Sequence, residues 1–335
     1  MPVTLKEVAE LAGVSTSAVS RTFTEGASVS AKMRAKVHAA AEQLGYAPNV
    51  LASGLSTGRT KLIGLISNNF HNPIFLEVFD RFTRGLQERG LRPLIVNLTE
   101  ETDPFNSVRL LRQYSVDGVI VASSTLPPAF ALAFRQAGMP VVHTFGRRSA
   151  HPEVDVIGID NVACGAQARR TLIERGYRRI AFLGGPEQAT STQDRLKGFL
   201  RGRADGVTVS YSFADAYSFE AGRDEMTRLL QSEDAEAFFC ADDVLSIGAI
   251  AALRGAGRRV PQDVGIIGLN DMEMAGWESI DLTTIHQPIS AIIEASIDRV
   301  IALLGDPRAR PQSQVLSCRL VERGTLRRRD GPQDT

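Results

Sequence analysis

The pattern that most limits what this chain can become starts at Leu62. Short, nearly unbroken apolar runs (62–66, 93–97, 118–122, 141–144, 156–160, 180–184, 207–211, 237–240 and 264–268) alternate with amphipathic stretches of helical period (75–89, 107–114, 164–175, 194–201, 219–231 and 246–254). A strand that is apolar on both faces has to be covered on both, and intervening helices supply that cover. The pattern therefore predicts parallel sheets flanked by helices. About 270 residues of it exceed what one such sheet usually holds, so two doubly wound lobes are expected. Ligands of such sheets bind beyond the carboxyl ends of the strands, and two facing lobes make a cleft there.

The first 46 residues read differently, as three short helices. Thr4 stands three residues before Glu7, the spacing of a reciprocal cap on the first turn. Val8, Leu11 and Ala12 then recur at helical spacing until Gly13 stops the segment. Ser15 is placed to cap a second helix over 16–23 with Val19 and Phe23 inward, and Ser30 a third, through Met33, Val37, Ala40, Ala41 and Leu44 to Gly45. Helix, tight glycine turn and second helix form the helix-turn-helix layout. A Gly- and Ser-rich linker follows, too short and glycine-rich to be a stable helix alone. The expected division is 1–47, a linker at 48–61, a body at 62–325 and a polar tail at 326–335.

Charge follows the same division. The chain is neutral overall, but its first 61 residues hold seven Lys/Arg against four Glu, leaving a basic end on a mildly acidic body. That asymmetry suits a polyanion partner at the N-terminal end. Hydrophobic residues at 43% and charged residues at 23% exclude wholesale disorder. No uncharged apolar stretch is long enough for a membrane helix, and the opening MPVTLKEVAE is not a secretory signal, so a cytoplasmic protein is expected. Cys164, Cys240 and Cys318 are far apart and odd in number, as expected of reduced thiols. The five histidines have no metal-ligand spacing, and no phosphate-cradling glycine loop occurs, so neither metal nor cofactor is expected. Gly54, Ser56 and Gly58 spell G-x-S-x-G, but a linker is the wrong setting for a nucleophile elbow.

Specific residues carry a resemblance. Val3-Thr4-Leu5-Lys6-Glu7-Val8-Ala9, Ala12-Gly13-Val14-Ser15, Val19-Ser20-Arg21, Leu44-Gly45-Tyr46 and Pro48-Asn49 open the series. Asn72-Pro73, Val116-Asp117-Gly118, Gly158-Ile159-Asp160-Asn161, Gly184-Gly185-Pro186 and Arg195-Leu196-x-Gly198-Phe199 continue it, with Cys240-Ala241-Asp242-Asp243, Leu282-Thr283-Thr284-Ile285 and Gln287-Pro288 closing it. In this order and over nearly its whole length, the chain resembles the LacI family of transcriptional regulators. The resemblance implies a small all-α helix-turn-helix domain followed by an α/β effector domain of two doubly wound parallel-sheet lobes, like periplasmic binding proteins. It implies a homodimer on pseudo-palindromic double-stranded operator DNA, repressing carbohydrate-related genes under control of a sugar or sugar derivative, with no enzymatic activity.

The resemblance also implies roles. The helix at 16–23 would lie in the major groove, with Thr16, Ser17 and Arg21 toward base edges; periodicity agrees, placing them with Ser20 on one face. Arg21 can grip guanine O6 and N7, or instead meet a phosphate. Thr4, Ser15, Ser20 and Ser30 are phosphate contacts; for Thr4, Ser15 and Ser30 helix capping is the alternative, and both can hold. Leu55 matches a hinge leucine that wedges into the minor groove, next to Gly54 where a polar residue is usual. In the cleft, Arg195, Asp242 and Asp271 fall on effector-binding positions and Tyr217 on a stacking aromatic, with Phe70 and Phe75 facing it. Core packing is the alternative for the aromatics, and a structural ion pair for Arg195 and Asp271. Relatives often carry an aspartate after the strand that here reads Val141-Val142-His143-Thr144-Phe145, which suggests a pocket with fewer polar anchors. The rival readings are a sugar-binding receptor and a doubly wound enzyme without DNA binding.

Overall fold

The computed structural model describes residues 3–24, 27–47, 59–98, 103–202, 204–232 and 234–328. The chain divides into two compact units, Met1–Thr60 and Lys61–Thr335.

The first unit is three helices, α1 (Leu5–Ala12), α2 (Thr16–Phe23) and α3 (Ala31–Leu44). Both halves of the expected cap on α1 are present: Thr4 N donates to Glu7 at 2.7 Å, and Glu7 N donates to the Thr4 hydroxyl at 3.4 Å. That backbone donor also holds the Glu7 carboxyl below its usual range. Gly13 adopts φ +59°, a left-handed turn in which Val14 N still reaches Ala9 O at 3.0 Å. A side chain would be strained there, and the turn sets α2 against α1. Val8, Ala9, Ala12, Val19, Val37, Ala40 and Ala41 form the small core. Phe23 seals one end, its ring edge-on to His38 at 5.2 Å. Leu11, expected inward, is 46% exposed, because Val8 and Ala12 already fill the face toward α3.

The second unit holds two six-stranded sheets. β1 (Leu62–Ser67), β2 (Arg92–Asn97), β3 (Gly118–Ala122), β4 (Val141–Thr144), β5 (Asp155–Ile159) and β11 (Ser313–Leu316) form one, in the order β11-β5-β4-β3-β1-β2. β6 (Arg179–Gly184), β7 (Thr208–Phe213), β8 (Ala237–Cys240), β9 (Gly265–Asn270), β10 (Thr284–His286) and β12 (Arg319–Val321) form the other, in the order β12-β10-β9-β8-β6-β7. Every pairing is parallel except β10 with β12. Lobe 1, built on the first sheet, includes α4 (Ile74–Glu88), α5 (Pro104–Gln113), α6 (Pro128–Gln136) and α11 (Ile289–Gly305). Lobe 2, built on the second, includes α7 (Asn161–Glu174), α8 (Thr190–Phe199), α9 (Phe219–Leu229) and α10 (Asp243–Gly255). The chain passes between lobes after β5, after β10 and between β11 and β12, so three strands of backbone connect them.

All nine expected strands are present, β10, β11, β12, α6 and α11 are additional to the expected elements, and further differences lie at helix boundaries. α5 begins at Pro104, earlier than its apolar period, because Asp103 caps it through a 3.0 Å bond from Phe105 N. The expected polar tail begins later than 326: Leu326 is buried, and Arg327 lies 4.5 Å from the Tyr177 ring centroid. Among the described residues, no helix is long and apolar enough to cross a membrane.

Candidate functional site

The strands of lobes 1 and 2 end on a shared cavity. Ile74, Phe75, Val78, Phe145, Ile159 and Ile289 give it an apolar side. Asn72, Ser124, Asn161, Arg195, Asp242, Asn270 and Gln287 give it a polar one. Its free volume is about 30 Å³, room for about two waters. Apart from Arg195, in the second turn of α8, the polar side chains come from residues at or just past strand ends or at helix starts, where a doubly wound sheet stops and backbone donors open.

Arg195 lies in α8, buried, with Nε donating to Asn161 Oδ1 at 2.8 Å and Nη1 to the Ala241 carbonyl. Asp242 caps α10 through Oδ1, which accepts from Val244 N at 3.0 Å. Its Oδ2 accepts from Asn270 Nδ2 at 2.8 Å and from Asn72 Nδ2 at 3.0 Å. Burial raises the Asp242 pKa, opposed by these donors and by the Arg195 charge. Next to it Asp243 is fully buried, accepting from Thr284 Oγ1 at 2.6 Å and Met272 N at 2.8 Å. Burial pushes its pKa up to about 7.

The Asn72–Asp242 bond runs from lobe 1 to lobe 2. Two more contacts do the same. The Ser124 carbonyl accepts from Thr190 Oγ1 at 3.1 Å and Ser191 N at 3.2 Å. Arg147, between β4 and β5, donates to Asp194 Oδ2 at 2.9 Å and the Thr190 carbonyl at 3.1 Å. These direct bonds hold the cleft nearly closed.

Of the expected cleft residues, Arg195, Asp242 and Phe75 line the cavity, and Asp271, Tyr217 and Phe70 do not. The Asp271 carboxylate is taken by Arg323 Nη2 at 2.7 Å and His286 Nδ1 at 3.0 Å, an ion-paired arrangement on the outer side of the β9 end. Asn270, its neighbour, points inward instead. Both residues have positive φ, +130° and +61°, a strained turn that decides which side chain faces the cavity. Tyr217 is packed in the lobe 2 core, its hydroxyl 2.7 Å from Thr192 Oγ1. Gly185 makes room for the ring: a Cβ there would lie 2.5 Å from it. Phe70 is 39% exposed and stacks on Phe79 at 4.7 Å. The pocket is also richer in polar anchors than the His143-Thr144-Phe145 departure suggests. Phe145 does line it, with φ +65°, whereas His143 is buried behind it. There Nε2 meets the Ser123 carbonyl at 3.1 Å, and burial takes the imidazole pKa down to about 4.

In the N-terminal unit, Thr16, Ser17, Ser20 and Arg21 are all exposed on α2 while Ala18, Val19 and Thr22 are buried. Ser15 and Ser30 cap α2 and α3 through bonds from Ala18 N at 3.2 Å and Met33 N at 3.3 Å. Their hydroxyls, with that of Thr4, therefore sit at exposed helix starts. Arg34 Nη1 reaches the Thr22 carbonyl at 3.2 Å and fixes α3 against the end of α2. Leu55, Gly54 and Ser56 lie outside the described residues.

Comparison with known proteins matches both units. Residues 4–49 fit the bacterial regulatory proteins of the lacI family, and residues 169–326 a periplasmic binding protein-like domain. The ribose operon repressor of Escherichia coli (strain K12) is 32% identical over 328 residues, covering 96% of this chain and 99% of that one. The chain belongs to the LacI family. The HTH-type transcriptional repressor PurR of Proteus mirabilis (strain HI4320) is 32% identical over 336 residues, covering 98% of each. Among solved structures, a lac repressor dimer bound to operator and the anti-inducer ONPF superposes with a TM-score of 0.86 at 27% identity, covering 97% of this chain and 99% of that one.

This LacI-family member is thus a DNA-binding transcriptional repressor under effector control. Sequence reasoning left the cavity's four side-chain amides without a role: Asn72, Asn161, Asn270 and Gln287. Each directly follows, or nearly follows, a predicted apolar run or sits in a quoted motif. A search for side-chain amides just past strand ends would have found them.

Proposed function

We propose that this repressor reads its operator as a homodimer through Thr16, Ser17 and Arg21, and that a small polyhydroxylated molecule, a sugar or sugar derivative, controls it from the interlobe cavity. The observation that carries this reading is the cavity's composition. Arg195, Asp242 and four side-chain amides stand opposite Phe75 and Phe145, a set of alternating donors and acceptors facing an aromatic wall. Hydroxyls both donate and accept, so a carbohydrate satisfies such a set, and the apolar wall covers its C–H face. The name of the ribose operon repressor favours the same class.

The cavity as it stands is too small for a sugar, so the ligand binds by parting the lobes and replacing their direct bonds. An effector with different affinity for the open and closed cleft shifts that equilibrium, and operator affinity follows by linkage. Thr4, Ser15, Ser20 and Ser30 fit as phosphate contacts that set the register of α2. Leu55 in the linker is the proposed minor-groove wedge. The domain boundaries follow the same reading, with the DNA-binding domain ending near 47 and the effector domain reaching Arg327.

The test is thermal shift against pentoses, hexoses, sugar phosphates and purine bases, followed by gel shift on upstream DNA with the stabilising compound. A ligand that binds the native state raises the melting temperature by mass action. A shift with a pentose or hexose that also changes operator affinity is expected. A shift with purines alone overturns the carbohydrate assignment.

A further inference from the structure

The hinge between the lobes brings two cysteines together. β11 runs parallel to β5 with Leu316 opposite Ile159, so the first and third lobe crossings leave side by side. Cys318 lies two residues past Leu316, and Cys164 is in the first turn of α7, just past Ile159. Cys164 is buried in the apolar cluster against which Cys318 packs, and the two thiols are near enough to shift each other's titration. Far apart in sequence, they form a pair that the count of three cysteines hides. Cys164 is buried, whereas Cys318 is partly open to solvent. Cys240, the third, is wholly buried in lobe 2.

We propose that Cys164 and Cys318 are an oxidisable pair whose disulfide braces the interlobe hinge. The more accessible Cys318 attacks first, and its chemistry suits that role. The neighbouring Cys164 thiol and the Arg195 charge hold its pKa below that of an ordinary thiol, while Cys164 is raised. The co-reactant is a hydroperoxide. The Cys318 thiolate attacks the outer peroxide oxygen, the O–O bond breaks, and hydrogen peroxide leaves a sulfenic acid and, after protonation, one water. Cys164 then attacks the sulfenic sulfur; the S–O bond breaks, the hydroxyl takes up the Cys164 proton and leaves as a second water, and an S–S bond forms. Two thiols are oxidised by two electrons, and one peroxide is reduced to two waters. The new bond links the start of α7 to the β11–β12 crossing, and two of the three connections then move as one.

The test treats the full-length protein with hydrogen peroxide and maps thiols by mass spectrometry after alkylation in denaturant. The expected result is one intramolecular Cys164–Cys318 disulfide, 2 Da lighter per chain by loss of two hydrogens, with Cys240 still alkylated and full reversal by dithiothreitol. Hydrogen exchange should slow at residues 159–163 and 316–319 in the oxidised form and recover on reduction. In Cys164→Ser, dimedone should trap Cys318 as sulfenic acid, whereas Cys318→Ser should leave Cys164 alkylatable. Only intermolecular disulfides, or Cys318 oxidised singly in the wild type with Cys164 still free, overturns the proposal. An unchanged exchange profile in disulfide-bonded protein overturns the bracing role. None of these readouts needs an effector or an operator.

Discussion

The two lobes share a strand plan but not a chemistry. Lobe 1 presents Ile74, Phe75, Val78 and Phe145 to the cavity, and lobe 2 presents Arg195, Asp242 and Asn270. The difference continues behind the walls. Lobe 1 buries an imidazole kept neutral, and lobe 2 buries neighbouring carboxylates whose ionised forms are disfavoured. Lobe 1 thus supplies most of the apolar wall, together with Asn72 and Ser124, and lobe 2 the charged anchors, and the two respond to acid in opposite senses.

That opposition gives the largest predicted effects. The Asp243 pKa is about 7 when folded, against an ordinary aspartate value of 3.8. The folded state therefore binds the proton more tightly, and stability falls as pH rises from about 4 to 7, by about 4 kcal/mol from this group. His143 is the reverse: its pKa of about 4 when folded lies below the ordinary imidazole value of 6.5. Its contribution is complete above pH 6.5 and is lost as pH falls toward 4, by about 3 kcal/mol. Urea unfolding across pH 4–8 should show Asp243→Asn removing the first slope and His143→Gln the second. Two variants with the same profile as wild type would erase the distinction between lobes at this level.

Arg195→Ala should come next. It deletes a buried guanidinium and strands Asn161 and the Ala241 carbonyl, so effector affinity should drop about 100-fold. Titration calorimetry with the ligand found by thermal shift measures it, and affinity retained within threefold would move the polar anchor elsewhere. Phe145→Ala, on the opposite wall, removes apolar cover only, and about a tenfold weakening is expected. An equal loss from both substitutions would show that the walls are not divided by role. The smallest effect belongs to Tyr217→Phe. It should lower stability by about 1 kcal/mol through the lost Thr192 bond and leave effector affinity unchanged. A large loss of affinity there would return Tyr217 to the ligand.

Much of this was legible in the residues. Apolar runs fixed the strands, because a parallel strand buried on both faces admits almost nothing polar. The caps at Thr4, Ser15 and Ser30 announced three helices through chemistry that is local in sequence. The cavity was less legible where direction mattered. Asn270 and Asp271 are adjacent polar residues at one strand end, and only the two positive φ angles decide which one turns inward. Tyr217 was legible as an aromatic past a strand, but the space above Gly185 that draws it into the core belongs to another strand. The Cys164–Cys318 pair depends on β5–β11 register, a long-range fact that no local spacing encodes.

The bond between Asn72 and Asp242 makes the protein its own competitor. Any effector contends with an intramolecular donor already seated on the carboxylate, so its apparent affinity is the intrinsic one reduced by the fraction of molecules standing open. The strength of one amide-to-carboxylate bond then acts as a sensitivity dial. Weaken it and the repressor answers to scarcer ligand; strengthen it and the threshold concentration climbs, with every contact to the ligand itself left untouched.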